Sequence, residues 1–402
     1  MTISWKKLLA VILLFSSSFA WFFIFYYYFD ILIPGTSVDP FWHNLGVVLF
    51  LFSIVISAMI GSAIAPKFNR RKFLLIWIVT GIITTLCILF LRTEELFPII
   101  GILNGISFGF GFPSCQAFLA DSTIPEERGR VAGLAVFVSF VLVVLFLLFG
   151  SSLKLDWIGL LFMFIIIKSI GFLSFLIDPI DIIKSKGKPW MSILRSRDFN
   201  YYIIAYILFC IAAGLVSLLW IAVPETPDYE YANNLANYIR YIGLGLFALL
   251  SGLLADRIGR KKPVIIGLIM LGVAYALIGL LTTSTTYFIN LLLSGFAWGI
   301  IMVVYLVIPA DLSSPGIRER YYAIGWVFPI ALYTGINGSA RLLGYVPKID
   351  VFSAILSFIL FASILPILYA GETLSESKIR ERKYRDYTEK VGKMVQKTKK
   401  EE

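Results

Sequence analysis

Long apolar runs recur along the whole chain, and they limit its fold more than any other feature. Hydropathy gives twelve such runs, and most are near the roughly 20 residues that a helix needs to cross a bilayer. The runs lack the alternation of membrane β-strands. We therefore predict an all-α integral membrane protein whose helices span residues 8–33, 45–65, 73–91, 97–119, 131–150, 157–177, 199–223, 235–255, 264–283, 287–309, 321–345 and 350–370.

The composition agrees with a bilayer environment. The chain is 59% hydrophobic and 15% charged, whereas a soluble domain is roughly half apolar and about a quarter charged. Lys6 and Lys7 precede an apolar run that continues to Ile33, which is too long for a signal peptide and indicates an uncleaved first span. The three cysteines lie inside apolar runs without a CxxC pair, so we expect small core residues, with no disulfide, metal or cofactor.

The basic residues are distributed unevenly between the two sides of the predicted bundle. With twelve spans both termini lie on one side, and that side holds 29 of the 35 Lys and Arg residues. This bias predicts a multi-pass protein of the cell membrane with both termini in the cytoplasm. Because the charges are divided among loops, nucleic-acid binding is not expected. The other six basic residues are Arg92, Lys154, Lys168, Arg240, Arg341 and Lys348.

The chain repeats itself at an offset of 190 residues. The segment "ADSTIPEERGR" at Ala120 aligns with "ADLSSPGIRER" at Ala310, and "SAIAPKFNRRK" at Ser62 aligns with "GLLADRIGRKK" at Gly252. One offset across separate elements indicates two six-helix halves. We predict bundles at 1–177 and 199–370, a cytoplasmic linker at 178–198 and a basic tail at 371–402. That tail could be merely solvated or could contact anionic lipid.

The segment "GLLADRIGRKK" resembles the signature that the major facilitator superfamily carries between the second and third helix of each half. The "AD…P…RGR" segment resembles the same family's loop between helices 4 and 5. The resemblance implies a secondary active or facilitative transporter whose halves rock around a central cavity, acting on a small molecule as a monomer. The residues that match these gate motifs are Gly252, Asp256, Arg257, Gly259, Arg260, Asp121, Arg128, Arg130, Asp311, Arg318 and Arg320.

The first-half copy of the signature is degraded. Ser62 stands where the family has glycine, Pro66 where it has aspartate, and Asn69 where it has the second glycine. Asp256 could meet the positive N-terminus of a nearby helix, held by Arg260 one turn on. The family's pseudo-symmetry implies that this helix is helix 5 of the other half, near Arg128 to Gly133. Because Pro66 replaces its repeat partner, this latch between the halves should be one-sided.

The family likeness implies that helices 1, 4, 7 and 10 line the substrate cavity. Polar and aromatic residues on these helices can contact substrate, although aromatics also pack or anchor at the interface. Arg240 and Arg341 lie inside spans, where they could hold an anion, form an outer gate or snorkel. The candidate substrate residues are Trp21, Asp30, Asn104, Gln116, Tyr206, Trp298, Arg240, Asn337 and Arg341.

Three further points bear on function. Helix 5 lacks the proline-containing signature of the family's drug/proton antiporters, which counts against that subgroup. Proton coupling usually needs an acid in the membrane, and no Asp or Glu lies mid-span, so a uniporter, or coupling to protons through another group, stays open. Lys168 is mid-span on a helix expected to face lipid, which favours a snorkelling or helix-packing lysine. The glycines at 101, 105 and 109 share one face of helix 4 and predict close helix packing.

Two other readings compete with transport of a small organic anion or metabolite. One is efflux of drugs or hydrophobic compounds, and the other is a sensor or scaffold that keeps the fold without transporting. A polytopic membrane enzyme would need clustered His, Asp, Glu or Cys residues near one interface. The sequence has one histidine and shows no such cluster.

Overall fold

Twelve helices follow one another in the described part of the chain. The computed structural model describes residues 3–28, 39–90, 93–153, 155–177, 193–222, 227–280, 284–339 and 348–374. Its secondary structure there is helical, without a strand. The helices are α1 Trp5–Tyr27, α2 Pro40–Ile64, α3 Arg70–Cys87, α4 Phe97–Asp121, α5 Pro125–Ser152, α6 Trp157–Ile177, α7 Arg197–Ala222, α8 Pro227–Ile258, α9 Lys261–Leu280, α10 Ser284–Asp311, α11 from Arg318 to Ser339, and α12 from Ile349 to Tyr369.

The last two helices are built from segments. In α11 the α-helical residues Arg318–Tyr322 and Phe328–Ser339 flank a π-helical turn, Ala323–Val327. In α12 the segment Ile349–Ala362 is followed by Ile364–Tyr369. Of the described helices, ten are long and apolar enough to cross a membrane. The other two are α3, which opens with three basic residues, and the divided α11.

Several helices extend beyond the apolar runs into polar sequence. Helix α5 begins at Pro125 rather than at residue 131, because proline suits the first helical position and Glu126 and Glu127 suit the first turn. Helix α3 is capped by Asn69, whose side chain accepts from the backbone N–H of Lys72 at 3.2 Å. Hydropathy detects the apolar part of a helix and misses these polar ends.

The two halves use the same packing pattern. In the first half α1 packs on α5 and α6, α2 packs on α4, and α3 packs on α4 and α6. Adding six to each helix number gives the main contacts of the second half: α7 with α11 and α12, α8 with α10, and α9 with α10 and α12. The halves meet mainly where α5 packs on α8 and α2 packs on α11, and these two junctions are also equivalent under the shift.

Glycines bring α2 and α4 into backbone contact. A Cβ atom on Gly101, Gly105 or Gly109 would lie 2.4, 2.4 or 2.2 Å from a carbonyl oxygen of α2. Helices in lipid associate by such close packing, because their apolar faces gain little by leaving the hydrocarbon. The packing role predicted for these glycines is confirmed.

Candidate functional site

Both halves place their signature residues at one end of the bundle, where α1 begins and α12 ends. We call this the charged end. Within the first half, the guanidinium of Arg70 lies 2.6 Å from the carboxylate of Asp121. Within the second half, Arg260 lies 3.0 Å from Asp311. The two pairs are related by the 190-residue offset, so each half carries the same internal ion pair.

A second set of ion pairs crosses between the halves. Arg128 of α5 pairs with Asp311 at the end of α10, and Arg318 of α11 pairs with Asp121 at the end of α4. These pairs are also repeat equivalents. All four side chains are at most 10% exposed. Truncating one partner of such a buried pair leaves an uncompensated charge and costs about 3–5 kcal/mol, so the reciprocal pairs hold the halves together at the charged end.

Asp256 joins the end of α8 to the start of α5. Its carboxylate accepts hydrogen bonds from the backbone N–H groups of Gly129 and Arg130 at 2.8 and 2.9 Å, and it lies 3.2 Å from the Arg130 side chain. Arg260, one turn on, lies 3.3 Å away. The predicted contact of Asp256 with helix 5 and Arg260 is therefore confirmed. The negative charge suits the positive N-terminal end of α5.

Two glycines make this contact possible. A Cβ on Gly129 would lie 2.5 Å from the Asp256 carboxylate and 2.7 Å from the carbonyl oxygen of Gly252. A Cβ on Gly252 would lie 2.3 Å from the carbonyl oxygen of Gly129. Real Cβ atoms do not approach so closely, so the junction of α5 with α8 needs glycine on both sides. This accounts for Gly252 in the signature.

The equivalent junction of α2 with α11 uses a relocated acid. Pro66 cannot supply the charge that Asp256 supplies, but Glu319 stands at the position that corresponds to Gly129. The Glu319 carboxylate lies 2.6 Å from Arg70, whose repeat partner is Arg260. The latch is therefore not one-sided as expected: the acid has moved from the α2 side of the junction to α11. The repeat alignment could have revealed this relocated acid, because it aligns Glu319 with Gly129.

Glu372, in the segment that follows α12, secures the turn between α8 and α9. The Glu372 side chain accepts from the backbone N–H groups of Arg260 and Lys261 at 2.7 and 3.1 Å. Gly259 has φ +92°, a left-handed conformation that favours glycine. The carboxylate leaves no room for a Cβ there, since one would lie 2.3 Å from Glu372 Oε2. Arg257 is exposed beside this turn, and Arg320 lies half-buried in the first turn of α11.

The candidate substrate residues on α1 and α4 are fully buried. The Trp21 ring stacks on Phe25 at 4.9 Å. Asn104 donates to the carbonyl oxygen of Ile100 at 3.0 Å. Within the part of the chain that the structure describes, the Trp21 indole N–H, the Asn104 side-chain oxygen and both polar atoms of the Gln116 amide have no hydrogen-bond partner. Buried polar groups without partners are costly, which marks these helices as places for a polar ligand or for water.

The candidates in the second half lie among aromatic rings. Tyr206 stacks on Tyr305 at 4.0 Å, and the Tyr206 hydroxyl has no partner. The half-buried Trp298 meets Tyr333 edge-on at 4.8 Å. Arg240 is half-buried on α8 and interacts electrostatically with Tyr333 and with the buried Tyr275. Arg240 and both tyrosines belong to the second half.

Asn337 contributes to a contact between the halves away from the charged end. Its amide donates to the Tyr26 hydroxyl at 3.1 Å, and that hydroxyl donates to the carbonyl oxygen of Thr334 at 3.1 Å. The contact joins α1 to α11. Two other candidates, Asp30 and Arg341, lie outside the described residues, as do most of the predicted linker and tail.

Trp326 is a central residue that the sequence reading did not select. Its ring lies in the π-helical turn of α11 and packs against Phe19 at 5.3 Å and Phe112 at 5.4 Å, both in the other half. It is 1% exposed, and its indole N–H has no partner. Single-turn π-helices are frequent at functional sites. The apolar run around Trp326 gave no sign of this turn.

Lys168 does not snorkel. The side chain is fully buried, and its ammonium group lies 4.2 Å from the Trp77 ring and 5.1 Å from the Trp21 ring. The α6 residue therefore points into the first half rather than to lipid, and the snorkelling interpretation is wrong. Lys168 packs among helices, which was the other interpretation.

Comparison with known proteins identifies relatives by family and by fold. A family model described as Major Facilitator Superfamily matches residues 8–226. The human organic anion transporter MFSD10 (TETRAN) superposes with a TM-score of 0.68 at 15% identity, over 90% of this chain and 99% of that one. The proton:xylose symporter XylE, solved with 6-bromo-6-deoxy-D-glucose, superposes with a TM-score of 0.71 at 16% identity, over 92% and 96%. No curated protein sequence matches the chain.

Proposed function

The chain belongs to the major facilitator superfamily of membrane transporters, and from this premise we propose that it moves a small organic anion across the cell membrane by alternating access. The family and the fold make it a multi-pass membrane transporter that acts on a small molecule.

The reciprocal pairs Arg128–Asp311 and Arg318–Asp121 carry the proposal. Both cross between the halves, both are buried, and both lie at the charged end. A rocking motion that opens this end must break both pairs and separate Asp256 from α5. We therefore assign these residues to a gate, which this structure holds closed. The excess of basic residues at the same end supports its cytoplasmic placement.

The substrate class follows from charge and hydrogen-bonding capacity. In the described part of the chain, Arg240 is half-buried, and polar atoms of Asn104, Gln116 and Tyr206 are buried without a partner. A carboxylate with an apolar body suits an arginine and polar groups on otherwise apolar helices. MFSD10 is described as an organic anion transporter, which agrees with this choice. We propose a monomeric transporter with no enzymatic role and no cofactor.

Efflux of hydrophobic compounds is a second candidate function. Aromatic rings meet between the halves, where Trp326 contacts Phe19 and Phe112 and where Tyr241 stacks on Phe140 at 5.9 Å. Such a surface suits flat apolar molecules. If the protein transports no compound, the remaining function is that of a sensor or scaffold that keeps the fold.

A transport assay on purified protein in proteoliposomes separates these functions. The panel contains succinate, lactate, benzoate, glucose and ethidium, each measured by exchange across the membrane. We expect exchange of an organic acid that is abolished in Arg240→Gln and kept in Lys72→Gln, an exposed lysine at the charged end. Exchange of ethidium alone would favour efflux of hydrophobic compounds. The absence of exchange for the whole panel would contradict transport of a small organic anion.

A further inference from the structure

A lysine with no counter-ion among the described residues lies halfway along α6. The Lys168 side chain is fully buried, and among the described residues its Nζ atom has no hydrogen-bond partner. Ionisable residues inside membrane helices are rare because a charge in hydrocarbon is costly, and they mark functional sites by default. None of the gate or substrate residues proposed above requires this lysine.

Its surroundings form a defined aromatic site. The Nζ atom lies 4.2 Å from the centre of the Trp77 ring on α3 and 5.1 Å from that of Trp21 on α1. The Trp77 ring is held in place, since its indole N–H donates to the carbonyl oxygen of Ser107 at 2.6 Å. Indole faces attract an ammonium group and partly replace the missing counter-ion.

The lack of a side chain at Gly81 makes room for the Lys168 side chain. A Cβ on Gly81 would lie 2.6 Å from Lys168 Cε and 3.5 Å from its Nζ, so any other residue there would crowd the amine. The same point is 3.3 Å from the Ser107 hydroxyl, which is also buried and without a partner. The amine and this hydroxyl therefore border the same small space between α3, α4 and α6.

The charged side chains of the neighbouring helices are remote from this space. In the described parts of α1, α3, α4 and α5 they lie in the first turns or at the last residue, next to the charged end. The titratable group near enough to interact with the amine is the buried Cys115 thiol on α4. The remote charged residues are Lys6, Lys7, Arg70, Arg71, Lys72, Asp121, Glu126, Glu127, Arg128 and Arg130.

We propose that Lys168 is a proton-binding site inside the first half and the coupling group of the transporter. Hydrocarbon burial favours the neutral amine, whereas the two indole faces favour the ammonium, so the site accommodates both forms. The lone pair of the amine takes up one proton from water to form the ammonium. The same proton returns to water when the amine re-forms. A proton needs no cavity, in contrast to an organic anion.

Helix α1 connects this site to the other half. Trp21 faces the lysine, and Phe19, on the same helix, packs against Trp326 of α11. Tyr26, further along α1, bonds to Asn337 of α11. A charge that appears beside Trp21 therefore acts on the helix that touches the second half. The coupling role rests on the proposed transport function, whereas the protonation of Lys168 does not.

The two indoles report the protonation directly. Trp fluorescence of the purified protein in nanodiscs is titrated from about pH 5 to about pH 11, which covers the range of a perturbed lysine. We expect a reversible change in emission that disappears in Lys168→Met, becomes smaller in Trp77→Phe, where Trp21 remains as a reporter, and persists in Lys72→Met. In Lys168→Arg, which keeps a cation at every pH, the change should also disappear. A wild-type titration without a change, or one that Lys168→Met leaves intact, would overturn the proton site.

A flux measurement tests the coupling separately. The panel compound with the fastest exchange is followed in two modes, exchange without a pH gradient and accumulation driven by a pH gradient. Lys168→Met should keep the exchange and lose the accumulation. Full accumulation in this variant would overturn the coupling role. The absence of exchange in the wild type would count against the transport proposal and leave the fluorescence titration to decide on the proton site.

Discussion

The carboxylate of Asp256, at the end of α8, accepts a hydrogen bond of 2.8 Å from the backbone N–H of Gly129, in the first turn of α5. The two residues belong to different halves of the transporter. An acid at the N-terminal end of a helix is stabilised by the helix dipole and by otherwise unpaired N–H groups. In this chain the same carboxylate also forms ion pairs with Arg130 and Arg260. A single side chain therefore connects the groups that meet at the junction of α5 with α8.

Asp256→Asn should weaken the closed gate without unfolding the protein. The amide keeps the size of the side chain and can still accept one hydrogen bond, but it loses its charge toward α5 and two arginines. Charge–dipole interactions of this kind contribute up to about 2 kcal/mol. We expect a lower exchange rate and a normal yield of folded protein. Exchange at the wild-type rate would remove Asp256 from the gate.

Gly129→Ala tests the close approach of the two helices. The added methyl group would meet the Asp256 carboxylate and the Gly252 backbone at less than 3 Å, so α5 and α8 must move apart. Overpacking of this kind costs typically about 1–3 kcal/mol. Thermal unfolding in detergent should show a lower midpoint. The matched control is Gly243→Ala, where a Cβ meets nothing within 4 Å. Equal midpoints for both variants would contradict the packing argument.

The relocated acid at Glu319 predicts a rescue by charge exchange. Arg70→Glu alone should place a third carboxylate beside Asp121 and Glu319 and destabilise the protein by about 3–5 kcal/mol. Combined with Glu319→Arg, the pair is restored in reverse, and part of the loss should be recovered. Denaturation of the two single variants and the double variant measures the coupling energy. Additive effects would show that the 2.6 Å pair does not stabilise this junction.

The sequence predicted the parts of this arrangement that depend on pattern. The apolar runs predicted the helices, and the repeat placed Arg70 and Asp121 as equivalents of Arg260 and Asp311. The contact of Asp256 with α5 followed from the family likeness. Each of these features is either local in the sequence or duplicated by the repeat. A single sequence is therefore enough to predict it.

The parts that were missed depend on the direction in which a side chain points. Lys168 was assigned to a lipid-facing helix, but a helix has two faces, and the low amphipathicity of α6 does not tell which face the lysine occupies. Glu319 compensates for Pro66 from another helix, which a motif search within one loop cannot detect. Trp326 lies in a π-helical turn set by tertiary packing.

The distance between the halves at the charged end tests the gate most directly. Ile124 and Ser314 are repeat equivalents, both exposed, in the loops after α4 and α10. Cysteines at these positions, with Cys87, Cys115 and Cys210 replaced, carry spin labels for pulsed distance measurements.

Losing a cross-half pair costs about 3 kcal/mol or more, and about 5.5 kcal/mol turns a 99:1 population ratio into 1:99. The double variant Arg128→Gln with Arg318→Gln should therefore add a longer distance to the single short distance of the parent. Lys72→Gln with Lys262→Gln, an exposed pair of repeat equivalents, should keep the parent distribution. A distribution in Arg128→Gln with Arg318→Gln identical to that of the parent would contradict the gate.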